Sequence, residues 1–238
     1  MVADTRPSSR RTHWALPNVV IILPSILPGI LPGILSKRSL PCLIVPALLL
    51  LGACAKSIVV EAEFPEPVVQ PLPLNIGVHY EETFENYSYT EELPNDVEWS
   101  FDLGGANRKL FDGIFSALFD IMTPVDGAGG SDPSYAALDA VIVPAVEAFE
   151  FSLPRQSNTE QYSVWIRYNL KVYTPTGEPI VSWPVSAYGQ SDERTFGASA
   201  AMEEAVIKAM RDAAASILIG FAEEEKIKEA LLSDDNDS

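Results

Sequence analysis

Between residues 74 and 80 the chain alternates. Leu74, Ile76, Val78 and Tyr80 take one side, and Asn75, Gly77 and His79 take the other. Period two marks a half-buried strand. The aromatic and acidic stretch 81–99 alternates only weakly, through Tyr87 and Tyr89, and reads as a strand extension or loop. From 108 to 122 the period changes. Leu110, Phe111, Ile114, Phe115, Leu118, Phe119 and Met122 recur at spacings of three and four, the apolar stripe of an amphipathic helix. Asn107 is its N-cap candidate, and Thr123-Pro124 stops it, because the residue before proline avoids the α region.

Residues 126–134, DGAGGSDPS, carry turn chemistry and predict a connector. Three strands follow. Within 141–153, Val141, Val143, Ala145, Phe149, Phe151 and Leu153 share a face, with Glu147 as the exception. Within 162–173, Tyr162, Val164, Ile166, Tyr168, Leu170 and Val172 alternate with Ser163, Trp165, Arg167, Asn169, Lys171 and Tyr173. After the turn signal Thr174-Pro175-Thr176-Gly177, residues 180–190 put Val181, Trp183, Val185 and Ala187 on one side. A second helix is expected over 198–221, with Met202, Val206, Met210, Ala213, Ile217 and Phe221 as its stripe and Ala205, Ala209 and Ala214 beside it. The expected fold is an α+β two-layer sandwich over residues 74–222. In it, an antiparallel sheet of about four strands carries two helices on one face, in the order β-α-β-β-β-α.

Charge changes the picture of the partner. The 238-residue chain has a formal net charge of −17. Residues 1–53 hold five of the sixteen cations (Arg6, Arg10, Arg11, Lys37, Arg38) and one acid (Asp4), so the remainder carries eleven cations against thirty-two acids, a net of −21. Such a surface disfavours nucleic acid, whose phosphates bind clustered Lys and Arg. It equally disfavours a domain lying flat on an anionic membrane. Residues 223–238, with acidic runs at 223–225 and 234–237, read as a solvated tail.

The N-terminal region reads as a leader. Lys37 and Arg38 precede the short apolar run 40–51, which ends in Leu51-Gly52-Ala53-Cys54. A basic region, a short apolar run and small residues at a cut describe a secretory signal. A membrane span would need about 20 apolar residues, and this run is shorter and holds two prolines. Residues 1–39 are longer than a signal requires. The proline-broken repeat ILPGILPGIL suggests an over-extended start over 1–35, and a Pro-broken membrane segment is the rival reading. Residues 54–73 include Pro65, Pro67, Pro71 and Pro73 and predict a polyproline tether with a reach of roughly 50 Å.

Leu51-Gly52-Ala53-Cys54 resembles the lipobox of bacterial lipoproteins. The resemblance implies cleavage between Ala53 and Cys54 and acylation of Cys54, so that acyl chains hold the protein to a membrane. Ala55 is not the Asp of an inner-membrane retention signal, which implies the outer membrane, with the domain facing the periplasm. Element order over 74–221 is also similar to that of the lipopolysaccharide-assembly lipoprotein, the YajG-like lipoproteins and the auxiliary lipoproteins of lipid-transport ABC systems. No diagnostic motif supports that second likeness, and no binding residue follows from it.

Catalytic and cofactor motifs are missing. Cys42 lies in the leader and Cys54 is the lipidation candidate, so no thiol remains for a disulfide, metal or nucleophile. His79 is the single histidine outside the leader. HExxH, GxSxG and the dinucleotide fingerprint are absent from the sequence. The expectation is a non-catalytic envelope module with no cofactor, working with a partner protein. Its candidate docking face is the polar side of the sheet: Trp165, Arg167, Lys171 and Tyr173, with Tyr188 from the next strand. The alternatives are a carrier that uses Phe111, Phe115 and Phe119 to hold an apolar ligand between helix and sheet, and a hydrolase with a site that spacing does not reveal.

Overall fold

The computed structural model describes residues 55–94, 96–157, 159–192 and 197–233. The leader, Ala53 and Cys54 lie outside the described residues, as does the acidic run 234–237. The elements are β1 (Lys56–Val59), β2 (Leu72–Val78), the single-turn helix α1 (Glu82–Glu85), β3 (Ser88–Glu92), β4 (Glu98–Asp102), α2 (Gly104–Leu118) and β5 (Phe119–Pro124). They continue with β6 (Ala140–Ser152), α3 (Pro154–Ser157), β7 (Gln161–Tyr173), β8 (Pro179–Asp192), α4 (Gly197–Gly220) and α5 (Glu225–Leu231). No described helix is long and apolar enough to cross a membrane.

The protein is mixed α+β, with two sheets instead of the single antiparallel sheet of about four strands expected from the alternation. A five-stranded sheet runs β5-β2-β6-β7-β8, and a three-stranded one runs β1-β4-β3. In the larger sheet β2 pairs in parallel with both β5 and β6, while β6, β7 and β8 form an antiparallel meander. Parallel pairing needs a long crossover. Here β3, β4 and α2 supply it between β2 and β5.

Four boundaries depart from the sequence expectations, each for a local reason. Helix α2 begins at Gly104, so Asn107 lies inside it, fully buried, and accepts a 2.7 Å hydrogen bond from the Tyr168 hydroxyl. It ends at Leu118, because Phe119 turns extended (ψ 148°) and starts β5, opposite Leu72. In β6 the register with β7 shifts between Val146 and Ala148. One extra residue reverses strand parity, so Val141 and Val143 face away from the main core while Phe149 faces into it. Finally, the expected acidic tail folds in part: Glu225–Leu231 forms α5, and its Ile227 is fully buried.

The expected tether is largely built into the fold. Lys56–Val59 pairs in parallel with β4, and Ile58, Val60 and Ala62 are buried. Alternation at those positions outweighs the prolines, which cluster further on. Lys109 pairs with the Glu63 carboxylate at 2.7 Å, and Phe64 packs against the core.

Helices α2 and α4 and the small sheet cover one face of the large sheet. Phe101 lies 4.9 Å from Phe149 and 5.0 Å from Phe151, ring to ring, which joins the two sheets. Helix α4 presents Ala201, Ala205, Ala209 and Ala213, all buried, to β7 and β8. Its backbone lies directly over Gly189, where an added Cβ would sit 2.0 Å from the Ala205 carbonyl oxygen. The same helix also caps the free edge of β8: Tyr188 N–H donates to Asp212 Oδ2 at 3.0 Å, and Lys208 Nζ donates to the Gln190 carbonyl at 3.1 Å. Pro184 offers no N–H on this strand. Capping and proline are ways of closing a sheet edge to further strands.

Burial moves the phenols of this core. It pushes Tyr168 well above the ordinary tyrosine value of 10.0, and it does the same to Tyr80, aided by the Asp112 carboxylate that Tyr80 hydrogen-bonds. Tyr89 is pushed up to about 12 by burial and by its bond to Glu91. A folded-state value above the unfolded one means the folded chain holds protons that the unfolded chain releases above pH 10. That stability is complete below pH 10 and is lost as pH rises toward the folded values. In an alkaline titration, tyrosinate absorbance from these three residues should appear together with loss of near-ultraviolet dichroism. Their ionisation in an intact fold near pH 10 would contradict the burial.

Candidate interaction face

The outer face of the large sheet is divided. At one end the 125–138 segment folds over it, and Tyr135, Leu138, Val141 and Val143 form a small second core with Val125, Ala128 and Tyr173 against it. Tyr173 is therefore half-buried, and so is Lys171. At the other end the sheet is open. Trp165 is 44% exposed and Tyr188 39%. The two are direct cross-strand partners, with rings 4.9 Å apart at 43°.

The five expected docking residues thus separate. Trp165, Arg167 and Tyr188 come together, while Lys171 lies six residues further along β7, roughly 20 Å away. The Tyr188 hydroxyl is held by Ser163 Oγ at 3.1 Å and Gln190 Oε1 at 2.9 Å. Such cross-strand pairs pin the rings without removing them from solvent.

Charge at the open end is not basic. Arg167 Nε lies 3.4 Å from Glu147 Oε2, and both side chains are about half exposed. Glu150 is opposite Trp165 on β6. An exposed pair like this is worth about 0–1 kcal/mol, so Arg167 is not locked. A depression of about 270 Å³ lies between Ala148, Glu150, Trp165, Arg167 and Ser186. Glu147 is the residue that parity arguments miss. It stands out in the sequence as a break in the β6 face, and the bulge there turns it toward Arg167.

Phe111, Phe115 and Phe119 are 0%, 0% and 2% exposed and touch one another and Tyr168, Phe84 and Phe221 in ring contacts of 5.0–6.0 Å. They fill the layer between helix and sheet, so the carrier role expected of them has no room there. A different apolar cleft, about 310 Å³, opens between α2, α4 and the 64–67 strap. His79 is half-buried, with Nδ1 3.1 Å from the Val125 carbonyl.

No family model matches the chain, and no curated protein matches it. Among solved structures, a Xanthomonas campestris protein of the DUF330 family aligns at a TM-score of 0.44 and 11% identity, covering 69% of this chain and 91% of its own. A candidate lipoprotein from Caulobacter crescentus CB15 aligns at a TM-score of 0.32 and 12% identity, over 47% of this chain and 74% of its own. A candidate neuraminyllactose-binding hemagglutinin homolog from Helicobacter pylori aligns at 0.40 and 11%, over 72% and 95%. Likenesses this loose assign no role to any residue here.

Proposed function

We propose that this chain is a lipid-anchored, non-catalytic interaction module of the bacterial envelope. Acyl chains on Cys54 hold it to the outer membrane, its domain faces the periplasm, and a partner protein docks on the open end of the large sheet. The observation that carries the anchor is Leu51-Gly52-Ala53-Cys54 at the end of a short apolar run behind Lys37 and Arg38. What supports docking is the rigid, solvent-facing Trp165–Tyr188 pair beside Arg167. Aromatic residues and Arg are enriched at protein interfaces.

The test has two independent arms. Intact mass of the protein purified from membranes should match a chain beginning at Cys54 plus acyl groups, and Cys54→Ala should abolish that species. An unacylated chain retaining residues before Cys54 would overturn the anchor. In the second arm, a photo-crosslinker at Trp165 should capture an envelope protein, and Trp165→Ala with Arg167→Ala should remove it from co-purification. Unchanged co-purifying proteins would overturn the docking face.

A further inference from the structure

The cleft between α2 and α4 has two unlike ends. At one end Lys109 from α2 and Arg211 from α4 both reach Glu63: Lys109 Nζ lies 2.7 Å from its carboxylate, and Arg211 Nη2 donates to its carbonyl at 3.3 Å. The Glu63 carboxylate is taken by Lys109, and its pKa is lowered by that hydrogen bond and charge. Arg211 meets the Glu63 backbone rather than a carboxylate, so its charge stays available. Past the cations the walls turn apolar: Leu110, Ile114, Ala214 and Leu218, roofed by Phe64 and Pro67. From Arg211 to Leu218 the helix rises about 10 Å. Glu66 is the one acid in the lining of the cleft among the described residues.

Gly113 is the second, independent observation. It sits in the interior of α2, where glycine is a poor helix former. An added Cβ there would meet nothing within 4 Å, although the residue lines the cleft. Packing within the protein does not require glycine at this position, unlike Gly189. The space over it is open to the cleft.

We propose that this cleft binds a single-chain anionic amphiphile, with its acyl chain along Gly113 and its acidic head at Arg211. Volume favours one chain over two, since about 310 Å³ is at the small end of ligand sites. Charge favours an anionic head: Arg211, whose hydrogen bond here goes to a carbonyl and not to a carboxylate, stands at one end of an apolar slot. The proposal is independent of acylation at Cys54 and of docking at Trp165.

The test uses the full chain held in phosphatidylcholine nanodiscs. A diazirine-bearing oleate analogue is added and irradiated, and adducts are mapped by peptide mass. Adducts are expected on the α2 and α4 peptides spanning 110–114 and 214–218, and unlabelled oleate should compete them away. Gly113→Leu should lower labelling at least fivefold while melting no earlier than the unaltered protein. The exposed Arg211→Glu should weaken competition by oleate about fivefold and leave competition by oleyl alcohol unchanged. Stronger competition by oleate than by 1-oleoyl-lysophosphatidylglycerol would assign a free carboxylate as the head; the reverse order would assign a phosphate ester. Adducts spread elsewhere, or full labelling of Gly113→Leu, would overturn the site. Equal loss of oleate and oleyl alcohol in Arg211→Glu would overturn the role of the head.

Discussion

Replacing Gly189 with alanine should cost the fold about 3 kcal/mol or more. The new Cβ would lie 2.0 Å from the Ala205 carbonyl oxygen and 2.4 Å from the Ala209 nitrogen. Both are backbone atoms of α4, so no rotamer change relieves the clash. The helix must lift from β8, which also loosens the bonds from Tyr188 to Asp212 and from Lys208 to Gln190. For a domain of this size, about 3 kcal/mol lowers the melting temperature by roughly 6–12 °C. Gly113→Ala is the matched control. It adds the same methyl in open space and should raise stability by about 0.5–1 kcal/mol through helix propensity. Urea unfolding of the two variants would read both. Equal midpoints would mean that α4 does not cross β8 as closely as described.

Phe111→Ala should be of similar or larger size, about 4 kcal/mol. The ring is fully buried, edge-on to Phe84 at 5.2 Å and to Tyr168 at 5.1 Å, and 5.5 Å from Phe115. Its loss opens a void beside the Tyr168–Asn107 hydrogen bond. Asn107 Nδ2 already lacks a partner among the described residues, so any tilt of Tyr168 strands a second polar atom at a cost of about 1–3 kcal/mol. The variant should fall short of the unaltered protein by roughly 8–16 °C in melting temperature. A drop under about 2 °C, less than about 1 kcal/mol would give, would mean that Phe111 is not in the packed layer. The phenylalanine stripe would then border open space, and the carrier role would regain the room that close packing denies it.

Strand β7 is legible in the sequence because one of its faces is buried end to end, and β8 because its alternating face is partly buried at Val181 and Trp183 and buried from Val185 on. In β7 every even-numbered residue from Tyr162 to Val172 is buried, and strict alternation reports that directly. The α2 stripe is legible for the same reason, but its end is not. Phe119 and Met122 continue the helical spacing, and only the pairing of β5 with β2 takes them out of the helix. Residues 88–92 are illegible as a strand because β3 is an exposed edge that carries Glu91 and Glu92, and in the five-residue β4 the alternation rests on Trp99 and Phe101 alone. In β6 the bulge breaks parity, so half of the expected face is wrong. The β1 segment does carry a signal, since Ile58, Val60, Ala62 and Phe64 are spaced by two, but the prolines that follow mask it. Of the candidate surfaces, the Trp165–Arg167–Tyr188 cluster follows from parity and a short turn. The cleft does not, because its walls come from three segments far apart in the chain and its defining feature is a missing side chain.

The position of β1 sets a height. Only Ala55 stands between Cys54 and Lys56, the first residue of β1, so an acylated Cys54 would leave a gap of about 7 Å where a free stalk would have left tens of ångströms. The domain would ride on the lipid headgroups like a buoy on a short chain. Lys56 is level with Trp99 on β4, and the Trp99 ring is 5.8 Å from Phe151, which is opposite Val164 on β7. Trp165 is the next residue. The open aromatic pair would therefore lie at the bilayer end of the large sheet, and the covered Tyr173 end would point away. A partner reaching Trp165 and Tyr188 would have to be membrane-bound itself or come down to the headgroups to meet them.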